Sequence, residues 1–448
     1  MSINHVVTVT ISSDSGAVTR AGFGVPLVKG ASNRWTTPER LRAYSESAPG
    51  AALAAMRADG FLVTDAEYLA ASRLLSSGVR VPRVVVANAK TKPTQRWTLT
   101  PLVASLTKYR VRVDGVLAEY TSGVGATAGA IVAGLAAAIE ALVGPAVSTV
   151  AGATAVDVVA DVPGAFFAVE TLDPGLLALE QTHPDPGLAV DLAECLDESR
   201  ASEGAKEWYA LVLCFPSTAS VLAAAAWTEA NQRFFLADTA NTDVLTGTSA
   251  TNLARKVKEF GYRRTAVLYH HAPGQFAAAG WAGRCLPLTP GTEKWDTMTV
   301  GGLEPSPGVA RYAANLLANG ANWYERVLGR NVTQGGGKTG SGVFVDVVRG
   351  IDELVARLQE DCFSQVADAD ERVPYNPPGF ATMAGVVRAR LKLTVGKLLA
   401  ADPEPTVSFP RSMSEVDPVD RDTRALPISF EAWVSSAIQS VRIVGRVR

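Results

Sequence analysis

The chain has 448 residues, with 42 lysines and arginines against 44 aspartates and glutamates, a formal net charge of −2. Such a length accommodates about three domains, and 47% hydrophobic with 19% charged residues excludes a disordered or collagen-like chain. The balanced charge excludes a whole-chain attraction to nucleic acid or to an anionic membrane surface.

Residues 5–11, His-Val-Val-Thr-Val-Thr-Ile, are β-branched and uncharged, and Val7, Val9 and Ile11 share one face of a predicted strand. Ser-Ser-Asp-Ser-Gly ends it, so residues 1–21 read as an N-terminal β arm. Residues 22–100 read as a small mixed outer domain. In it Thr37-Pro38-Glu39 opens a helix with proline at its first position, 64–74 is a second helix, and 80–87 is a strand. Residues 101–200 read as an α+β outer module. Asp114-Gly115 turns the strand 109–113 into a second one, a helix covers 127–143, and strands follow near 148–161 and 165–170. The uncharged stretch between Glu119 and Glu140 has an apolar part, 128–139, shorter than the ~18 residues of a membrane span. The Pro- and Asp-rich residues 173–187 read as a surface connection.

Residues 201–425 read as the core domain. Strands at 208–215, 234–237 and 265–270 alternate with helices at 217–232 and 249–260, which implies a parallel sheet. Helices follow near 309–319, 348–365 and 379–400. Residues 426–448 read as a C-terminal β arm, with Val441, Ile443 and Val447 on one strand face. The predicted class is α/β and α+β multidomain. A parallel-type sheet is built from the C-terminal half plus the N-terminal segment, with smaller α+β modules inserted and β-strand arms at both termini.

The search for chemistry returns little. Gln-Gly-Gly-Gly-Lys-Thr-Gly at 334–340 suggests a phosphate loop, but Val332 stands where the motif needs its first glycine. The turn after the first core strand, Cys214-Phe215-Pro216-Ser217-Thr218, has no glycine to let a dinucleotide approach. Cys214, His270 and Asp238 all fall near strand ends and form a conceivable nucleophilic set, although a cysteine in an apolar strand usually packs as a small core residue. His270 and His271 point to opposite faces of an extended segment, while His5 and His183 stand alone. The four cysteines have no CxxC spacing. No catalytic residue, cofactor or metal is expected. The helix near 348–363 is amphipathic: Ile351, Leu354, Val355, Leu358 and Cys362 recur at helical spacing, and Asp352, Glu353, Arg357, Glu360 and Asp361 lie off that stripe. The next helix carries Arg388, Arg390, Lys392 and Lys397 without an interleaved aromatic, which favours a protein-facing or solvated surface over nucleic acid.

Several blocks, taken in order, resemble the tail sheath proteins of contractile bacteriophages. They are Arg20-Ala-Gly-Phe-Gly-Val-Pro-Leu-Val, Ala225-Ala-Trp-Thr-Glu-Ala-Asn, Gly261-Tyr-Arg-Arg-Thr-Ala-Val-Leu-Tyr-His and Asn319-Gly-Ala-Asn-Trp-Tyr. Gln334-Gly-Gly-Gly-Lys-Thr-Gly-Ser-Gly, Phe344-Val-Asp-Val-Val-Arg-Gly-Ile-Asp-Glu-Leu, Val373-Pro-Tyr and Val441-Arg-Ile-Val-Gly-Arg-Val follow. The likeness is strongest from about residue 204 onward, and residues 30–200 correspond to a region where sheath proteins carry variable outward-facing modules.

The resemblance implies a structural, non-enzymatic subunit that polymerises around a tail tube and contracts to drive it through a host envelope. It implies partners in further copies of itself, the tail tube protein, and baseplate and tail terminator proteins, with no nucleic acid and no membrane insertion. It places the protein in the virion tail after assembly in the host cytoplasm, and the sheath of a phage-derived injection system would look the same. Arms at 5–11 and 438–447 would add strands to neighbouring subunits. By the same analogy Asp352, Glu353, Arg357, Glu360 and Asp361 form a candidate tube-contact helix. An oligomeric α/β hydrolase is the alternative of a different class, and it requires a convergent polar cleft.

Overall fold

The computed structural model describes residues 23–35, 39–79, 81–202, 204–247, 251–367 and 372–435. The chain folds as two units, one of Ala21–Leu288 with Lys294–Val345, the other of Thr289–Glu293 with the chain from Asp346.

In the first unit, β1 (Pro26–Lys29), β2 (Leu41–Ser45), α1 (Ala51–Ala58), α2 (Ala66–Leu75) and β3 (Arg83–Ala87) come first. Then follow β4 (Arg96–Pro101), β5 (Lys108–Val113), β6 (Val116–Thr121), α3 (Ala128–Glu140), β7 (Val147–Ala151), β8 (Val156–Ala160), β9 (Val169–Thr171) and β10 (Leu177–Gln181). The unit continues with α4 (Leu188–Ala201), β11 (Ala210–Leu213), α5 (Thr218–Asn231), β12 (Phe234–Thr239), α6 (Leu253–Glu259), β13 (Thr265–Tyr269), α7 (Ala277–Cys285), α8 (Ala313–Asn319), β14 (Asn322–Val327) and β15 (Arg330–Gln334).

The main sheet has eight strands in the order β15-β14-β13-β12-β11-β1-β3-β2. Every pairing from β14 to β3 is parallel, and the edge strands β15 and β2 are antiparallel to their neighbours. Apolar runs such as Ala-Leu-Val-Leu in β11 and Thr-Ala-Val-Leu-Tyr in β13 are buried at every position, because helices cover both faces of such a sheet. Ser217 starts α5 by accepting a hydrogen bond from the Ser220 N–H. One core joins the sheet to α4, α5 and α6 through Leu27, Leu192, Trp208, Val221, Phe235 and Val257.

The segment from β4 to β10 forms a separate layer pair. A four-stranded sheet, β10-β4-β8-β7, and a three-stranded one, β6-β5-β9, enclose a core with Trp97, Tyr109, Val111, Leu135 and Val158. Asp114 and Gly115 both adopt positive φ, 48° and 80°, in the hairpin turn read from the sequence.

In the second unit, α9 (Val345–Ala367), whose first residue closes the first unit, packs on α10 (Pro377–Thr394). Then come β16 (Thr406–Ser408), α11 (Pro418–Thr423) and β17 (Ser429–Glu431), with β16 and β17 paired antiparallel. Asn376 caps α10 and proline takes its first position.

Five points differ from the sequence reading. Residues 22–100 are not an outer domain, because β1, β2 and β3 belong to the main sheet. The inserted module runs from Arg96 to Gln181, and α4 after it packs on the main core. The predicted core domain 201–425 is split, because the chain from Asp346 belongs to the other unit. The segment after Pro38 is the strand β2 rather than a helix, since antiparallel pairing to β3 outweighs a local helix signal. Likewise 173–187 contains β10, in which Leu177, Leu179 and Gln181 alternate inward against β4.

Candidate functional site

In a doubly wound sheet, ligands bind outside the carboxyl ends of the strands where the strand order reverses. Here that point lies between β1 and β11, at Lys29 and Cys214. Side chains of the chain itself fill it. The Lys29 ammonium donates to the Gly30 carbonyl at 2.7 Å and pairs with Asp191 at 3.2 Å. The other oxygen of Asp191 holds Arg40 at 2.6 Å, and all three groups are buried. The Glu67 carboxylate accepts from the N–H and the hydroxyl of Ser32 at 2.7 and 2.9 Å. It also presses on Gly30, where an added Cβ would lie 1.9 Å from it.

One strand further, Cys214, Asp238 and His270 do converge, as their strand-end positions suggest. They line a cavity of about 10 Å³ closed by Phe166, Gln181 and Phe276, which leaves room for about one water molecule. Phe166 from the inserted module packs its ring 5.9 Å from Phe215 and 5.1 Å from Phe276. Burial pushes the Cys214 thiol well above its ordinary value, so it stays protonated and a poor nucleophile. Burial lowers the His270 imidazole. Both its nitrogens are engaged: Nε2 lies 2.7 Å from the Glu304 carbonyl, and Nδ1 accepts from the Ala272 N–H at 3.2 Å. Asp238 accepts from the Ala278 N–H at 3.1 Å, in the first turn of α7, and burial raises its carboxyl to about 7. His270 and Asp238 are bonded to backbone groups rather than to each other or to Cys214, and the cavity has no room for an acyl or phosphoryl substrate.

The glycine run has a packing explanation. Gly335, Gly336 and Gly337 all take positive φ, and a Cβ at Gly337 would lie 2.6 Å from Trp295 Cβ. Lys338 sits over the Phe344 ring at 5.0 Å rather than over an open loop. Among the described residues no group of three histidine, cysteine or acidic side chains is placed to hold a metal, and no helix is long and apolar enough to cross a membrane.

The charged helix is α9, as expected, but its charges are not a free face. Asp352 and Glu360 are buried. Arg357 bridges Glu353 at 3.7 Å and Glu360 at 2.9 Å. Asp361 takes both arms of Arg390 from α10, at 2.6 and 2.7 Å. Periodicity placed these side chains off the apolar stripe, but a helix packed on more than one side buries polar positions as well. Glu353, Arg357 and Asp361 keep partial exposure. Of the basic run on α10, Arg388 stacks with Arg411 on Phe409, at 5.2 and 4.0 Å.

Sequence reasoning missed two buried ion pairs. One is the Lys29–Asp191–Arg40 group; its signal was a lysine closing an apolar strand just before a glycine. The other is Arg349 with Glu293, fully buried within the second unit. There Gly350 lets Leu398 approach, because a Cβ would lie 2.5 Å from its methyl. Val7, Val9, Ile11, Val441, Ile443 and Val447, with His5, lie outside the described residues.

No protein-family model matches the sequence, and no curated protein matches it. Solved structures do. The helical sheath of the anti-feeding prophage in its contracted state is 13% identical and aligns over 98% of this chain and 98% of its own, with a TM-score of 0.51. The sheath of an extracellular contractile injection system (PVC), also contracted, is 11% identical over 98% of both chains, with a TM-score of 0.51. The sheath tail protein of Desulfitobacterium hafniense is 11% identical over 96% of this chain and 100% of its own, with a TM-score of 0.41.

Proposed function

We propose that this chain, which has the fold of contractile sheath proteins, is a structural subunit of such a sheath and works by polymerising around a tube and contracting. The observation that carries the reading is the fold likeness to two helical sheaths over 98% of the chain, at TM-scores of 0.51. The filled strand-end cleft agrees with it, since a subunit of this kind needs no substrate site. Work then comes from a metastable extended lattice that relaxes to one with more buried interface per subunit. The reading covers a phage tail and a phage-derived injection system alike, because either uses the same kind of subunit. Its partners are further copies of the chain, a tube protein, a baseplate and a terminator, in an assembled particle.

The arms at 5–11 and 438–447 are the links between subunits in this reading. The ladder β16–β17 is a suitable acceptor, since no third strand pairs with it among the described residues. The tube contact stays on α9, carried by the partly exposed Glu353, Arg357 and Asp361, with the buried Asp352 and Glu360 positioning the helix.

Negative-stain electron microscopy of the purified chain, whole and lacking 1–21 and 436–448, tests the reading. Hollow tubes or rings from the whole chain, lost on arm removal, are expected. A small oligomer indifferent to arm removal would overturn it.

A further inference from the structure

Resting on the sheath reading, we propose that a surface of α6 and α8 is one half of a subunit–subunit contact. Its other half is the acidic segment around α11 of a second copy.

The first surface is basic and apolar together. Phe260, just past α6, is 63% exposed, and Leu317 on α8 is 56% exposed. The two helices are tied by the Lys258 ammonium, which donates to the Ala318 carbonyl at 2.8 Å. The Phe260 ring leans on Tyr262, with centroids 5.5 Å apart. Between Leu253 and Arg264 the sequence has five basic residues and one acid, Glu259. That acid is bound by Arg255 at 3.0 Å, so the charge of Lys258 and Arg263 is not cancelled on their own element. Glu229, the carboxylate nearest Arg263 in the hydrogen-bond pattern, is occupied by the N–H groups of Arg263 and Arg264 at 3.2 and 3.0 Å. Single exposed apolar residues are ordinary, but an aromatic and a leucine on two joined helices, flanked by the cations Lys258 and Arg263, form the kind of patch that interfaces bury.

The second surface has the opposite sign. Residues 402–424 contain six carboxylates and three arginines, the last of them Arg424 at the end of α11. Arg421 is turned onto the carbonyls of Met413 and Val416, at 2.8 and 3.3 Å. Val419, 69% exposed, stands among Asp417, Asp420 and Asp422.

The argument for a second copy as the occupant is geometric. A chain that forms open helical polymers needs a heterologous contact, in which two different patches of one chain fit each other. These two patches are complementary in charge, and each offers an apolar centre. Complementary potentials fix register and speed encounter.

The test uses the full chain in charge-reversed variants: Lys258→Glu with Arg263→Glu, Asp420→Lys with Asp422→Lys, and the four together. Polymer is measured by pelleting and microscopy at low and moderate salt, and thermal unfolding confirms that each variant is folded. Each pair alone should cut polymer yield by about tenfold or more, and the combination should restore most of it. Wild-type polymer with reversed variants that assemble equally well would overturn this contact and leave the sheath reading standing. So would folded variants that fail alone and are not rescued together, because the basic surface would then meet another partner. A wild-type chain that never polymerises would overturn both.

Discussion

Asp238 accepts hydrogen bonds from the first turn of α7 and is also buried, and these two facts pull its protonation in opposite directions. Burial wins and lifts the carboxyl to about 7, with the bonds from Ala278 and Ala277 as the smaller, opposing effect. A group whose folded pKa lies above its unfolded value stabilises the fold at low pH. That stabilisation fades as pH rises through the folded pKa. Asp238→Asn keeps an acceptor oxygen and removes the charge. The variant's melting temperature should therefore gain on wild type as pH goes from 5 to 8, and a difference that stays constant over that range would refute the assignment. A second prediction concerns the thiols. All four cysteines are buried, and burial raises Cys195 to about 12 and Cys362 to about 11. A thiol reagent should modify the native chain slowly and the chain in denaturant fast; one rapidly reacting native thiol would contradict the burial of the cysteine that carries it. At this scale the sequence told which residues reach the strand ends. It did not tell that the cleft they share would be closed, because the closing side chains, Phe166 and Gln181, come from a module inserted between the strands.

The helix α9 was legible as an amphipathic element, because its apolar positions repeat at helical spacing. Its neighbours were not legible, and they decide what its charges do. Two ion pairs on it make a useful contrast. Arg349 and Glu293 are fully buried, so Glu293→Ala should remove a carboxylate from a guanidinium that water does not reach and cost about 3–5 kcal/mol. Asp361 and Arg390 are partly exposed, so Asp361→Ala should cost no more than about 1 kcal/mol despite its two-pronged geometry. Denaturant midpoints of the two variants measure the difference; equal losses would show that burial does not set the scale here. The strands β2 and β10 were missed for a related reason. Each is a short run whose pairing partner, β3 or β4, is what makes it a strand, and a partner is a property of the fold. The parallel strands β11, β12 and β13 were legible because burial on both faces leaves an unbroken apolar run.

At the scale of the molecule, alternation of strand and helix was enough to infer the parallel sheet, but not the division of the chain. Residues 26–87 belong to the main sheet while 96–181 do not, and no shift in composition marks the change. The segment Thr289–Glu293 lies in the second unit although the chain on either side lies in the first. A fragment beginning at Asp346 would therefore leave Arg349 without Glu293. Such a fragment should show a lower unfolding midpoint than one joined to 289–293, and equal midpoints would argue that the pair is dispensable. The inserted module differs in this respect. It enters at β4 and leaves at β10, and those strands lie side by side, with Trp97 opposite Gln181 and the Thr182 N–H bonded to the Arg96 carbonyl at 3.0 Å. Its two ends thus meet at neighbouring points. Descent can trade such a piece as a cassette, lengthening it, replacing it or deleting it through a few linking residues while the sheet beneath keeps its register. The second unit, threaded among the described residues by chain from two separate stretches, permits no such exchange, so the two parts should diverge in lineages at very different rates.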